Sequence, residues 1–148
     1  MPTDQLHELY AGLFRVVVQI KRWSHPHEEV DPPCLGVLFC ASRLGEVRMS
    51  ELAQEMLLDL STVSRHVRTL VQEGYLERTE DPDDRRACRL RVTDRGRQAL
   101  QRARELRAAA LGEVLASWPA KDRDDLTRLL NRLADDLESK AREKAATR

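Results

Sequence analysis

Four arginines, Arg85, Arg86, Arg89 and Arg91, crowd the end of the stretch EDPDDRRACRLR (80–91), directly behind Glu80, Asp81, Asp83 and Asp84. A guanidinium is a planar fork of donors suited to phosphate oxygens and the edge of guanine. Acids repel the same partners, so the mixture calls for a structural reason. A second basic stretch lies upstream: LSTVSRHVRTLVQ (60–72) carries Arg65, His66 and Arg68 and no carboxylate. At about 100° per residue, Leu60, Val63, Val67, Leu70 and Val71 share one helical face, opposite Ser61, Thr62, Arg65, Arg68, Thr69 and Gln72. Short hydroxyls near a helix N-terminus allow close approach to a phosphate backbone, which the free N–H groups there favour. The arginines beyond them can reach base edges. The chemistry these residues suit is recognition of a nucleic acid, with no bond made or broken.

Such a helix needs elements to hold it. Residues 5–23 place Leu6, Leu9, Tyr10, Leu13, Phe14, Val17 and Ile20 at three- and four-residue steps, the pattern of an amphipathic helix. The proline-bearing segment SHPHEEVDPP breaks it, and a second helix is predicted from about Cys34 to Arg43, stopping near Gly45. A short helix is expected to begin near Ser50, and the recognition-type helix to end at Gly74, a favoured residue just past a helix end. YLERT and CRLRVT read as strands, with Cys88, Leu90 and Val92 on one face and Arg89 and Arg91 on the other. EDPDDRRA joins them as a hairpin. Thr93 is placed to cap a helix running toward Trp118, and Pro119 breaks it. A last helix from Lys121 to about Ala145 carries a leucine stripe, and its polar end, ESKAREKAATR, is expected to fray.

The fold class expected is mostly α with a small β-hairpin wing. A winged helix-turn-helix lobe at approximately 34–93 joins a helical dimerisation region built from the N- and C-terminal helices, approximately 4–23 and 94–145, in a single domain over 1–148. A chain this small has trouble covering the apolar stripes of two long end helices by itself, so a symmetric homodimer is the economical arrangement.

The bulk properties narrow the function further. With 148 residues, 25 Lys plus Arg against 25 Asp plus Glu, formal net charge is zero, and DNA binding must rest on local placement of charge. No apolar run approaches the length of a bilayer span, the start MPTDQLHELY has no export signature, and three unpaired cysteines fit a reducing cytosol. No membrane partner is expected. No phosphate-cradling glycine loop or H-E-x-x-H helix is present, so no enzymatic activity and no cofactor are expected.

The segment MSELAQEMLLDLSTVSRHVRTLVQEGYLERTEDPDDRRACRLRVTDRG resembles the DNA-binding core of the MarR family of bacterial winged helix-turn-helix regulators. The resemblance is carried by Leu52–Ala53, by the hydroxyls of Ser61, Thr62 and Ser64, and by Arg65, Leu70, Gly74 and Arg78. It continues through Asp84-x-Arg86 and Thr93-x-x-Gly96. It implies a homodimeric, sequence-specific DNA-binding transcriptional regulator, a repressor by family habit, on a pseudo-palindromic double-stranded operator. Ser61, Thr62, Ser64, Arg65, His66, Arg68 and Thr69 would face the major groove. In the wing, Asp84 would orient Arg86 for the minor groove, with Arg85, Arg89 and Arg91 along the flank toward phosphate. Arg48 and Met49 stand where the family often has a capping hydroxyl, so Ser50 is expected to cap.

Resemblance also implies release by a small lipophilic or phenolic effector, with Trp23, His25, Phe39, Arg43 and Trp118 as lining candidates; Phe39 and Trp118 suit a core position equally well. Among the cysteines, Cys34, Cys40 and Cys88 all suit packed small hydrophobes, and Cys34 is the one best placed for redox sensing. His25, His27, Glu28, Glu29 and Asp31, even with His7 added, do not form a closed tetrahedral set, and no metal is expected. The competing function is a winged-helix protein-interaction module without operator binding, which the zero net charge favours and the acid-free helix face opposes.

Overall fold

The computed structural model describes residues 2–22 and 28–146. Its elements are α1 (Thr3–Arg22), α2 (Pro32–Leu44), β1 (Val47–Arg48), α3 (Met49–Met56), α4 (Leu60–Gln72), β2 (Leu76–Glu80), β3 (Cys88–Val92), α5 (Asp94–Val114) and α6 (Ala120–Ala146). The chain divides into two compact units, Met1–Leu106 and Arg107–Arg148, and α5 runs from one into the other. No described helix is long and apolar enough to cross a membrane.

In the first unit α2, α3 and α4 pack around one core with the sheet. Val37, Leu38, Leu52, Val63, Val67 and Leu70 have no exposed surface, and Leu76 and Leu90 cap them from β2 and β3. Truncating any one of the leucines to alanine would cost about 2–5 kcal/mol. Local chemistry sets the helix ends. Asp31 caps α2, its carboxylate accepting from the Cys34 N–H, with Pro32 and Pro33 at the first helical positions where a missing N–H costs nothing. At the end of α4, Gly74 adopts φ +80°. There the Tyr75 N–H reaches the Leu70 carbonyl at 2.8 Å and the Gly74 N–H reaches Val71 at 3.1 Å. That double bond is the Schellman stop, and it turns the chain directly into β2.

The sheet has three strands in the order β1-β3-β2, all antiparallel. The hairpin was expected; β1 was not, because two residues carry too little alternation to register as a strand. Ser50 does not cap α3 either. The helix begins at Met49, and the Glu51 carboxylate folds back to accept the Arg48 N–H at 2.8 Å. Leu60, assigned by periodicity to the core face of α4, is exposed, as are Leu57 and Leu58 in the preceding turn. The α5 entrance depends on contact: the Thr93 hydroxyl donates to the Gly74 carbonyl at 2.6 Å and accepts from the Gly96 N–H at 3.1 Å. A Cβ on Gly96 would stand 2.3 Å from the Tyr75 carbonyl oxygen, so only glycine lets α5 lie this close to the hairpin.

None of the α1 residues is buried; Leu9, Tyr10, Phe14, Val16 and Ile20 are more than half exposed. In the second unit Leu129, Leu130, Leu133 and Leu137 of α6 are exposed as well. The helix α6 continues through Glu138 and the polar residues after it to Ala146, where fraying was expected. Trp118 lies just beyond the end of α5 and is exposed, so neither it nor Phe39 is a core residue.

Candidate nucleic-acid interface

The α4 helix presents Val63, Val67 and Leu70 inward and leaves Ser61, Arg65, Arg68 and Gln72 exposed, with Thr62 and Thr69 half-buried beside them. The Thr69 hydroxyl bonds back to the Arg65 carbonyl at 3.4 Å, a weak local bond that leaves both hydroxyl lone pairs to a partner. Among the described residues no carboxylate pairs with Arg65 or Arg68. Ser64 and His66 occupy the two flanks of the helix, both half-buried. His66 departs from the expected groove face: its Nδ1 lies 3.5 Å from Cys34 Sγ on α2.

The wing holds its acids at two levels. At its base Asp81 is the one buried polar residue among those described, 2% exposed. One carboxylate oxygen lies 2.6 Å from Nε of Arg48 and 3.3 Å from Nε of Arg89, while the other accepts the Asp83 N–H at 2.9 Å. Arg48 and Arg89 face each other across the β1–β3 ladder, where like charges repel. Asp81 sits between them and converts that repulsion into a clamp. The Arg48 guanidinium, with the Asp83 N–H and then Arg89, holds the Asp81 carboxyl well below the usual carboxylate range, against the opposing effect of desolvation. Asp81 in turn raises the guanidinium of Arg48 further.

Arg89 was expected to reach phosphate. It is instead committed to Asp81 and to Asp83, 3.4 Å away. Arg91 pairs with its cross-strand neighbour Glu77 at 2.7 Å. At the tip the arrangement changes. Asp84 accepts the backbone N–H of Arg86 at 2.9 Å, and the Ala87 N–H returns to the Asp84 carbonyl at 3.0 Å. Asp84 therefore fixes the backbone that carries Arg86, not its guanidinium. Arg85 and Arg86 are exposed and, among the described residues, have no carboxylate partner.

The sequence reading missed Asp81 and Arg48. Hydropathy gives an aspartate no inward signal, and only the pairing of β1 with β3 shows that two arginines need a carboxylate between them. Of the effector candidates, Phe39 and Arg43 stand one helical turn apart on the exposed side of α2. Trp23 and His25 lie outside the described residues, as does His27, and Trp118 belongs to the second unit. Redox sensing at Cys34 is disfavoured: burial, with Asp31 adding, pushes its thiol up to about 12, far from the reactive thiolate. Burial raises Cys40 too.

Residues 32–88 match the family model described as "MarR family". An uncharacterized HTH-type transcriptional regulator of Bacillus subtilis, YxaD, is 30% identical over 89 residues, which are 60% of this chain and 62% of YxaD. A MarR family protein from Bacillus stearothermophilus superposes with a TM-score of 0.78 at 22% identity, covering 93% of this chain and 99% of that one. Streptococcus pneumoniae FabT, solved in complex with DNA, superposes with a TM-score of 0.62 at 20% identity, covering 93% and 99%. The chain spans roughly half to three fifths of the length of three of the curated relatives it matches. The structural likenesses carry the winged-helix fold, a mostly helical chain with a small antiparallel sheet.

Proposed function

We propose that the chain, whose residues 32–88 match the MarR family model, is a MarR-family homodimeric transcriptional repressor that binds a pseudo-palindromic operator. The observation that carries the reading is the division of its arginines. Arg65, Arg68, Arg85 and Arg86 are without carboxylate partners among the described residues, and all stand on α4 or the wing tip. Ser61, Thr62 and Ser64 bring the α4 N-terminus against the backbone of a major groove, and Arg65 and Arg68 reach base edges. Arg86 enters the neighbouring minor groove, where a narrow A·T-rich tract concentrates negative potential. Arg85 meets phosphate. FabT, of the same fold, is a DNA-bound precedent.

Dimerisation is supported by the bare apolar faces of α1 and α6, which water would otherwise hydrate at about 25 cal/mol per Å². Two α4 helices related by a two-fold axis read half-sites about 10 bp apart. A dimer covering that length of promoter excludes polymerase, which is the basis for assigning repression. Release by a small lipophilic anion at the Phe39–Arg43 side of α2 is the regulatory half of the same proposal.

Fluorescence anisotropy against the chain's own upstream intergenic DNA tests it, with a scrambled duplex of equal composition as control. The expected outcome is binding at least ~10³ tighter to the genuine duplex at near-physiological salt, weakened by Arg65→Ala and by Arg86→Ala. Equal weak binding to both duplexes, unchanged by either substitution, would transfer the winged helix to a protein partner.

A further inference from the structure

The α2 N-terminus and the flank of α4 bring together Asp31, Cys34 and His66, one oxygen, one sulfur and one nitrogen donor within 4.8 Å of each other. We propose that these three residues form a binding site for a borderline-soft divalent cation of the zinc class. The distances support it. Tetrahedral zinc with bonds of about 2.3 Å to sulfur and about 2.0–2.1 Å to nitrogen sets those two ligands about 3.5–3.6 Å apart. Cys34 Sγ and His66 Nδ1 are 3.5 Å apart. They already stand at the span that a shared metal requires, although they come from helices 32 residues apart in sequence.

The third donor needs a small adjustment. Asp31 is exposed, and its Oδ2 accepts the Cys34 N–H at a long 3.4 Å. A carboxylate held this loosely can rotate to complete a face of three ligands, leaving a fourth coordination position for water, the open pattern of a non-structural zinc site. Donor chemistry selects the cation. A thiolate and an imidazole exclude calcium and magnesium, which take oxygen ligands, and suit zinc or its spectroscopic stand-in cobalt. Loading replaces a proton: the Cys34 S–H bond breaks, the sulfur pair forms the metal bond, and the proton passes to solvent. The cation's own charge stabilises that thiolate inside the apolar surroundings of α2.

The position gives the site a consequence. Asp31 caps the first turn of α2, to which Cys34 belongs, and His66 follows Arg65 directly on α4. A bound cation would therefore join the two helices at the level of the free arginines. This goes beyond operator binding and does not depend on it, because occupancy is read in the absence of DNA.

The test is a cobalt(II) titration of the full-length, metal-stripped protein carrying Cys40→Ser and Cys88→Ser, so that Cys34 is the remaining thiol. The expected result is tetrahedral d–d absorption with a thiolate-to-cobalt charge-transfer band. Both should saturate at one equivalent per chain and bleach when zinc is added. Cys34→Ser should abolish the charge-transfer band. His66→Gln should weaken binding by at least about tenfold, and Asp31→Asn should do so while still capping α2, since asparagine caps as well as aspartate. Because His66 is half-buried, its variant remains informative if Cys34→Ser folds poorly. No charge-transfer band in the parent, or a band that His66→Gln leaves unchanged in affinity, would overturn the site and leave only a helix cap beside an S–H···N hydrogen bond.

Discussion

The base and the tip of the wing are built from the same two residue types and use them in opposite ways. At the base, Asp81 is buried and its carboxylate is filled by Arg48, Arg89 and the Asp83 N–H, so both arginines are spent on the fold. At the tip, Asp84 is exposed and accepts only a backbone N–H, so the guanidinium of Arg86 stays available. One aspartate immobilises arginine side chains and the other immobilises the chain beneath one. A groove-inserted arginine needs both a rigid platform and an uncommitted head, and the two levels supply these separately. On the proposed DNA-binding reading, Asp81, Asp83 and Asp84 do not weaken the surface: Asp81 and Asp83 engage Arg89, and Asp84 leaves the guanidinium of Arg86 uncommitted.

The largest effect expected from breaking this division is at the base. Asp81→Ala leaves Arg48 and Arg89 opposed across the sheet with nothing between them, and should give the largest fall in urea midpoint among the wing variants. Operator affinity should fall with it, because the platform beneath Arg86 loosens. The pH dependence has a defined sign. A carboxyl held below its ordinary value contributes stability above about pH 4 and loses it progressively as pH falls further. The gap between the parent and Asp81→Ala should be full at neutral pH and close in acid. Urea titrations at neutral pH and below about pH 4 check it; a gap that widens in acid would contradict the clamp.

At the tip the expectation reverses. Arg86→Ala should leave the urea midpoint unchanged and weaken operator binding by roughly 10- to 100-fold, the range of one well-made base contact of about 1–3 kcal/mol. The loss should be smaller on an operator whose A·T-rich flank has been replaced by G·C, where the minor groove is wider. Asp84→Asn should have a smaller effect than either Asp81→Ala or Arg86→Ala, since an asparagine oxygen can still accept the Arg86 N–H. It should lower affinity by no more than a few-fold, measured in the same anisotropy titration.

Much of this was legible before the structure. The core and exposed faces of α4 follow from a 3.6-residue period written in Val63, Val67 and Leu70 against Arg65 and Arg68. Glycine punctuation placed the ends of α2 and α4 at Gly45 and Gly74. What escaped had no local signature. Leu60 obeys the helical period yet stands exposed, because the core beneath α4 does not extend to its first turn. Asp81 carries a surface residue's identity in a core position, and only the long-range pairing of Val47–Arg48 with Arg89–Leu90 explains it. His66 sits next to Arg65 in sequence, but its flank faces α2, a fact that depends on how two helices pack and not on either one alone.

The smallest effect concerns Arg91, the arginine that lies between the two classes. It is paired with Glu77 in register across the hairpin, yet both side chains are about half exposed. An exposed ion pair is worth about 0–1 kcal/mol, so Arg91→Ala should shift the urea midpoint only slightly. Its effect on DNA decides which class it joins. If Glu77 holds it as Asp81 holds Arg89, the alanine variant should bind operator within about twofold of the parent, with an unchanged salt slope. If Arg91 leaves Glu77 to meet phosphate, the slope of log affinity against log salt should fall by about one unit. Exchanging the pair, Glu77→Arg with Arg91→Glu, sharpens the answer. The swapped hairpin keeps its ion pair and its stability while moving the positive charge from β3 to β2, so any change in salt slope then belongs to the charge's position alone.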